Sequence, residues 1–195
     1  MPEKTETLPA KSVEFSVVHP LDDFYAAAGQ SLPPFDEIEG EAVPEPYRTL
    51  LVHKNDMTPT LEKYHGFGVH LDVLGRRSKG DAYFREVILR LDGTNQPVEF
   101  GAIKINLDRF TAGARKEILA ECLPLGHILN EFKIPHTSRP RAYLRLATDK
   151  LISRVLEMNG AHVLYGRRNT LYDPQQRPLA EIVEILPVAT INKTK

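Results

Sequence analysis

In the stretch AYFREVILRL, residues 82 to 91, strand-like alternation places Arg85 on the face that carries Tyr83, Val87 and Leu89. A guanidinium keeps its charge and presents a rigid fork of donors, so on an apolar strand face it has two uses. It can reach water past its neighbours from an edge strand, or it can grip a carboxylate in a cavity through two parallel hydrogen bonds. A second charge breaks the pattern in PLAEIVEILP, residues 178 to 187. There Glu184 shares a face with Ala180, Ile182 and Leu186, and Glu181 shares the other with Leu179, Val183 and Ile185. One of the two glutamates must face the core side or a pocket. A buried carboxylate is driven towards its protonated form unless a cation pairs with it. A structural Arg85–Glu184 ion pair is therefore the alternative account of both residues.

Other reactive side chains form no recognisable constellation. The seven histidines are scattered; His65 and His70 lie five apart with no acid-rich partner motif, which favours surface roles over metal ligation. Cys122 has no adjacent base and reads as a small core residue rather than a nucleophile. The Arg76-Arg77 and Arg167-Arg168 pairs fit solvated turns or a cavity gate better than nucleic-acid contacts, because the formal net charge is −1. There is no phosphate-binding glycine loop.

The 195 residues suffice for one domain with a sizeable core. Hydrophobic residues at 42% and charged residues at 26% are globular values, so a packed core rather than a disordered chain is expected. The single cysteine excludes an intrachain disulfide and suits a reducing, cytoplasmic setting. The amino-terminal stretch has no apolar core of a signal peptide, and no apolar run reaches the ~18 residues of a bilayer span, so no membrane partner is expected.

These residues need elements to position them. Residues 1–46 hold seven of the fifteen prolines and the acidic run PPFDEIEGEAVPEPY, which predicts an extended arm with one short helix at HPLDDFYAAAG, closed by Gly29. Residues 47–190 form the main domain. NDMTPTLEKYHG predicts a helix from Thr58, GVHLDVL a strand, and AYFREVILRL with PVEFGAIKINL a hairpin around DGTNQ. GARKEILAECLPLGHILNEF predicts helices broken at Pro124. AYLRLA is a short strand, and TDKLISRVLEMNG a helix capped by Thr148 and stopped at Asn159-Gly160. HVLYGRRNTLY, the turn DPQQ and RPLAEIVEILP predict a second hairpin. Hairpins with helices inserted between them predict an α+β fold: a single antiparallel sheet of about six strands, helices packed on one face and the hairpins central.

The pieces NDMTPTLE, YFREVIL, CLPLGHIL, YGRRNTL and RPLAEIVEILP occur in the order found in the chorismate lyase (chorismate pyruvate-lyase) family, and the chain resembles it from Tyr47 to Pro187. The resemblance implies the chorismate lyase-like sheet and an internal cavity for an aromatic carboxylic acid. It also implies roles for Met57 at the cavity, for Arg85 as the carboxylate clamp, for Leu125 as an apolar contact, and for Glu184 at the ring hydroxyl. The implied reaction eliminates pyruvate from chorismate to leave a hydroxybenzoate, most simply 4-hydroxybenzoate, with Arg85 and Glu184 as the catalytic residues. Aromatisation drives it, so no cofactor and no metal is expected.

There are departures from the family pattern. The lyases have one residue more between the glutamate and the closing proline, and they carry an arginine where this chain has Ala102. Arg141 is the first candidate to replace that cation, with Arg167 and Arg168 as alternatives. The helix at 149–158 reads as an insertion. The rival function is a non-catalytic protein of the same fold that binds or senses an aromatic carboxylate, since effector domains of some bacterial transcription regulators resemble this fold. A proline-rich segment of about 46 residues does not make a winged helix, so no nucleic-acid partner is expected.

Overall fold

The structure, a computed structural model, describes residues 16–188; residues 1–15 of the proline-rich arm and the tail from 189 lie outside the described residues. Two runs of hairpins build the sheet. Strands β2 (Val69–Lys79), β3 (Ala82–Leu91) and β4 (Pro97–Asn106) form the first run, and β5 (Thr137–Ala147), β6 (Val163–Tyr172) and β7 (Pro178–Leu186) the second. Pairing of β4 with β7 fuses them. A short strand β1 (Phe35–Ile38) adds to the edge beside β5, giving a seven-stranded antiparallel sheet in the order β1-β5-β6-β7-β4-β3-β2.

Turn chemistry matches the strands it joins. In the DGTNQ loop, Gly93 and Asn95 take positive φ (81° and 60°), a conformation that these residue types adopt at low cost. β2 is the opposite edge. Its outer half is exposed and carries Arg76, Arg77 and Lys79, and a register shift lies between Val73 and Gly75. Charge and irregularity of this kind discourage edge-to-edge pairing. Arg76 pairs with Glu121, while Arg77 pairs with Asp23 and lies 4.2 Å over the Phe84 ring, so both arginines are engaged within the fold.

Helices α2 (Tyr47–Leu51), α3 (Met57–His65), α4 (Ala112–Ala120) and α5 (Leu125–Glu131) cover the face that displays Val87, Leu89, Ile103 and Ile105, as the hairpin order predicts. The other face is also furnished. Helix α1 (Leu21–Ala27), inside the proline-rich segment, and α6 (Lys150–Val155) pack there on Ile88, Phe100, Val183 and Ile185. This explains why β3 and β4 are buried along nearly every residue instead of at alternate ones. Each large apolar side chain so buried contributes about 1.5–3 kcal/mol relative to exposure.

Two local expectations change. The cap of α6 is Asp149, whose carboxylate accepts from the Ile152 N–H at 2.7 Å; a carboxylate suits the positive end of a helix, and Thr148 instead accepts from the His162 N–H. Cys122 is exposed, not in the core, because it sits in the α4–α5 connection where the chain turns outward before Pro124.

Candidate functional site

The register of the central strands sets the floor of a cavity. Arg85 stands opposite Ile103, Val87 opposite Gly101 and Leu89 opposite Glu99; across β7, Gly101 faces Glu184 and Ile103 faces Ile182. All share one face. Gly101 lies at the centre of this lattice with no side chain, and a Cβ there would meet the Val183 carbonyl at 2.2 Å, so β4 and β7 approach too closely for any other residue.

Helices α3 and α5 form the roof. Met57 begins α3 behind the N-cap Asp56, and Leu125 begins α5 behind Pro124. The helices touch at Gly126, where a Cβ would lie 2.8 Å from Thr58 Oγ1 and 2.9 Å from Thr58 Cβ. The glycine of LPLG and the threonine of NDMT are therefore one contact, which brings two distant segments to the same wall.

Between floor and roof is a cavity of about 60 Å³, lined by Met57, Arg85, Leu125 and Glu184 together with Glu99 and Asn169. Four of the five residues singled out from sequence thus meet. The fifth, Arg141, does not. It is exposed beside the register shift between Pro140 and Ala142, and lines a separate cleft with Glu37 and Glu39. Ala102, where the lyases carry an arginine, borders the cavity but faces away from it. It stands opposite Glu86, and its side chain packs with Phe100 and Val183 on the far face, where an arginine would not point into the cavity.

Arg85 is 1% exposed. Its Nε and Nη1 have no hydrogen-bond partner, and Nη2 donates only a long bond of 3.5 Å to the Leu123 carbonyl. Burial pulls its pKa down, against weaker support from the Tyr83 hydroxyl and the Glu121 carboxylate. Arginine nevertheless remains charged at any ordinary pH.

Glu184 does not pair with Arg85. Its partner is Arg167, itself fully buried, whose Nε donates to Glu184 Oε2. The rest of the Arg167 fork is occupied: Nη1 donates to the Leu51 and His53 carbonyls at 3.2 and 3.3 Å, and Nη2 to the Asn55 carbonyl at 3.2 Å. This pair ties β6 and β7 to the segment that leads into α3, and so fixes where Met57 sits. Burial, and then the Arg167 charge, hold the pKa of His53 down.

Glu99 was not foreseen from sequence. It lines the cavity at 5% exposure, and its Oε2 has no partner. Burial holds its carboxyl well above the usual carboxylate range, the Glu184 carboxylate adds to this, and Arg167 opposes it. The same signal that marks Arg85, a charge on an apolar strand face, is present in PVEFGAIKI, where Glu99 alternates with Ile103 and Ile105.

At the outer end of the α3–α5 seam, His136 Nε2 lies 2.9 Å from Asp56 Oδ2, and Nδ1 donates to the Ile134 carbonyl at 2.8 Å. The hydrogen bond to Asp56 raises the pKa of His136, with burial working against it. A histidine whose folded pKa exceeds its unfolded value, about 6.5, adds stability that is complete below that value and fades as pH rises through the folded one. The stability lost in His136→Gln is accordingly expected to be larger at about pH 5.5 than at about pH 8.5 in denaturant titrations. An equal loss at both would show that the imidazolium–Asp56 contact is not formed.

Among the described residues one grouping of metal-type side chains occurs, His19 with Asp22 and Asp23. It lies at the start of α1, on the far face, and Asp23 is already paired with Arg77. No helix among the described residues is long and apolar enough to cross a membrane.

No protein-family model matches the chain, and no curated protein does. Solved structures do. PhnF from Mycobacterium smegmatis superposes with a TM-score of 0.52 at 12% identity, over 89% of this chain and 95% of that one. The effector domain of PhnF gives 0.51 at 12% identity, over 68% and 88%. A GntR-family transcriptional regulator from Bacillus cereus gives 0.47 at 13% identity, over 65% and 96%. The PhnF likenesses establish the fold: one antiparallel sheet with helices, the chorismate lyase-like α+β architecture.

Proposed function

We propose that this protein binds a small aromatic carboxylate in the α3–α5 cavity and acts as a recognition module without catalysis. The observation that carries this reading is Arg85: a buried guanidinium, lining an apolar cavity, with two of its three nitrogens unpartnered. Leaving buried donors unpaired costs about 1–3 kcal/mol for each group, a cost that a bidentate carboxylate removes. Met57, Val87, Leu89 and Leu125 supply the apolar walls that an aromatic ring needs. The PhnF segment of the same fold is described as an effector domain, which supports sensing.

The lyase reading retains one observation in its favour, the convergence of Met57, Arg85, Leu125 and Glu184 on one cavity. It lacks two things. The Glu184 carboxylate is engaged by Arg167, and among the described residues lining the cavity Arg85 is the sole cation, whereas chorismate is a dianion. Transition-state charge on departing enolpyruvate needs a donor placed for it. Calorimetric titration with benzoate and 4-hydroxybenzoate, alongside a pyruvate assay with chorismate, separates the readings. Saturable binding without pyruvate is expected. Pyruvate release dependent on Arg85 would favour the lyase, and failure of both acids to bind would remove the carboxylate site.

A further inference from the structure

We propose that Glu99, not Glu184, selects the ligand: its carboxyl group hydrogen-bonds a neutral hydroxyl-type substituent on the part of the ring remote from the carboxylate held by Arg85. The inference rests on the carboxylate-binding reading and adds to it the second recognition group and the ligand class, a hydroxylated aromatic acid.

Two unpartnered buried polar side chains line this cavity, and they differ in kind. Arg85 offers donors with no acceptor, and Glu99 Oε2 is a carboxyl oxygen with no partner. Of the other acids in the lining, Asp56 is paired with His136 and Glu184 gives its Oε2 to Arg167, whereas Glu99 makes neither kind of contact through Oε2. On β4, Glu99 is four residues from Ile103, the position opposite Arg85, so the two groups enter at points roughly 13 Å apart along the strands at ~3.3 Å per residue. A long arginine and a glutamate thus enter the cavity from opposite ends, and at about 60 Å³ the cavity must widen at its α3–α5 roof to admit a substituted ring between them.

Charge sets what each end accepts. A ligand cation near Glu99 would give up its hydration for a buried carboxyl group that favours its neutral form, and a second anion would face the Glu184 carboxylate. A hydroxyl has neither difficulty. It donates to a carboxylate and accepts from a carboxylic acid, and burial favours the acid form here. A site built to hydrogen-bond a hydroxyl discriminates against the analogue lacking it, because the buried partner is then left unpaired.

The test compares 4-hydroxybenzoate with benzoate by titration calorimetry on the full chain, for wild type, Glu99→Gln and Glu99→Leu, with thermal melts as the check on folding. Wild type is expected to prefer 4-hydroxybenzoate by about tenfold or more, the equivalent of one satisfied hydrogen bond. Glu99→Gln, which keeps a donor and an acceptor in the same shape, should retain most of the preference. Glu99→Leu should abolish it while still binding benzoate. Equal wild-type affinities for the two acids, or an undiminished preference in Glu99→Leu, would overturn the role of Glu99 and leave the carboxylate site standing. No binding of either acid by wild type would overturn the carboxylate site and this inference with it.

Discussion

Arg85→Ala is expected to lose roughly ten- to hundredfold in affinity for 4-hydroxybenzoate while leaving the protein as stable as wild type, or more stable. A charge-assisted hydrogen bond to a buried partner contributes ~1.5–3 kcal/mol, which is that range in Kd. The stability forecast follows from the missing partner. Removing one member of an ion pair strands the other, but no carboxylate among the described residues forms an ion pair with Arg85, and its Nε and Nη1 make no hydrogen bond. Truncation therefore relieves an unfavourable burial and exposes little apolar surface.

For the reading to hold, affinity must fall with no fall in stability. Calorimetric Kd and urea midpoints on the same preparations supply both. Arg85→Lys sharpens the result: it keeps the charge but not the planar fork, so its affinity should fall between wild type and alanine. A large stability loss in Arg85→Ala with no change in affinity would mean that the guanidinium is a structural element and the cavity has no carboxylate clamp.

What was legible in the sequence follows from how each feature is encoded. The sheet could be read because β3, β4, β6 and β7 carry alternation bounded by turn residues, and hairpin partners are neighbours in the chain. Coverage of the far face by α1 and α6 was harder. Only the apolar Ile88, Phe100 and Ala102 on the other face of β3 and β4 report it, and they do not say which helices return to cover them. β1 was hidden for another reason: its four residues lie among prolines and acids, and pairing with β5 rather than an apolar pattern makes the strand.

The site divides the same way. Arg85 and Glu184 broke the alternation of their own strands and could be seen; Glu99 broke its own in the same manner, and Gly101 beside it marks the cavity floor. The partner of Glu184 could not be read. In YGRRNTL adjacent arginines occupy both faces of β6, and only the pairing register decides that Arg167 meets Glu184 while Arg168 turns to Glu181 and the Ser16 carbonyl. Arg141 had no pattern to place it: it precedes the strand read at AYLRLA, and the register shift between Pro140 and Ala142 leaves it exposed at a separate cleft.

Arg167→Ala is expected to be the most damaging single change to the fold, costing about 3–5 kcal/mol, because it leaves the Glu184 carboxylate buried and unpaired. The two residues are 0% and 3% exposed, so solvent cannot take over the lost contact. More than the pair is lost. The Leu51, His53 and Asn55 carbonyls that accept from this guanidinium run from the last residue of α2 towards the start of α3, so the lead-in to Met57 loses its tether and ligand affinity should fall as a secondary effect. The double variant Arg167→Leu with Glu184→Leu distinguishes the electrostatic part from the tether. Removing both charges eliminates the stranded carboxylate, and apolar replacements for a buried pair are often neutral or better, so the double variant should be more stable than Arg167→Ala alone. Whatever deficit remains against wild type measures the three carbonyls left without their donor. Urea unfolding of the single and double variants beside Arg85→Ala gives the comparison. A loss below about 1 kcal/mol in Arg167→Ala, the range of an exposed ion pair, would mean that the pair is hydrated and does not organise the cavity.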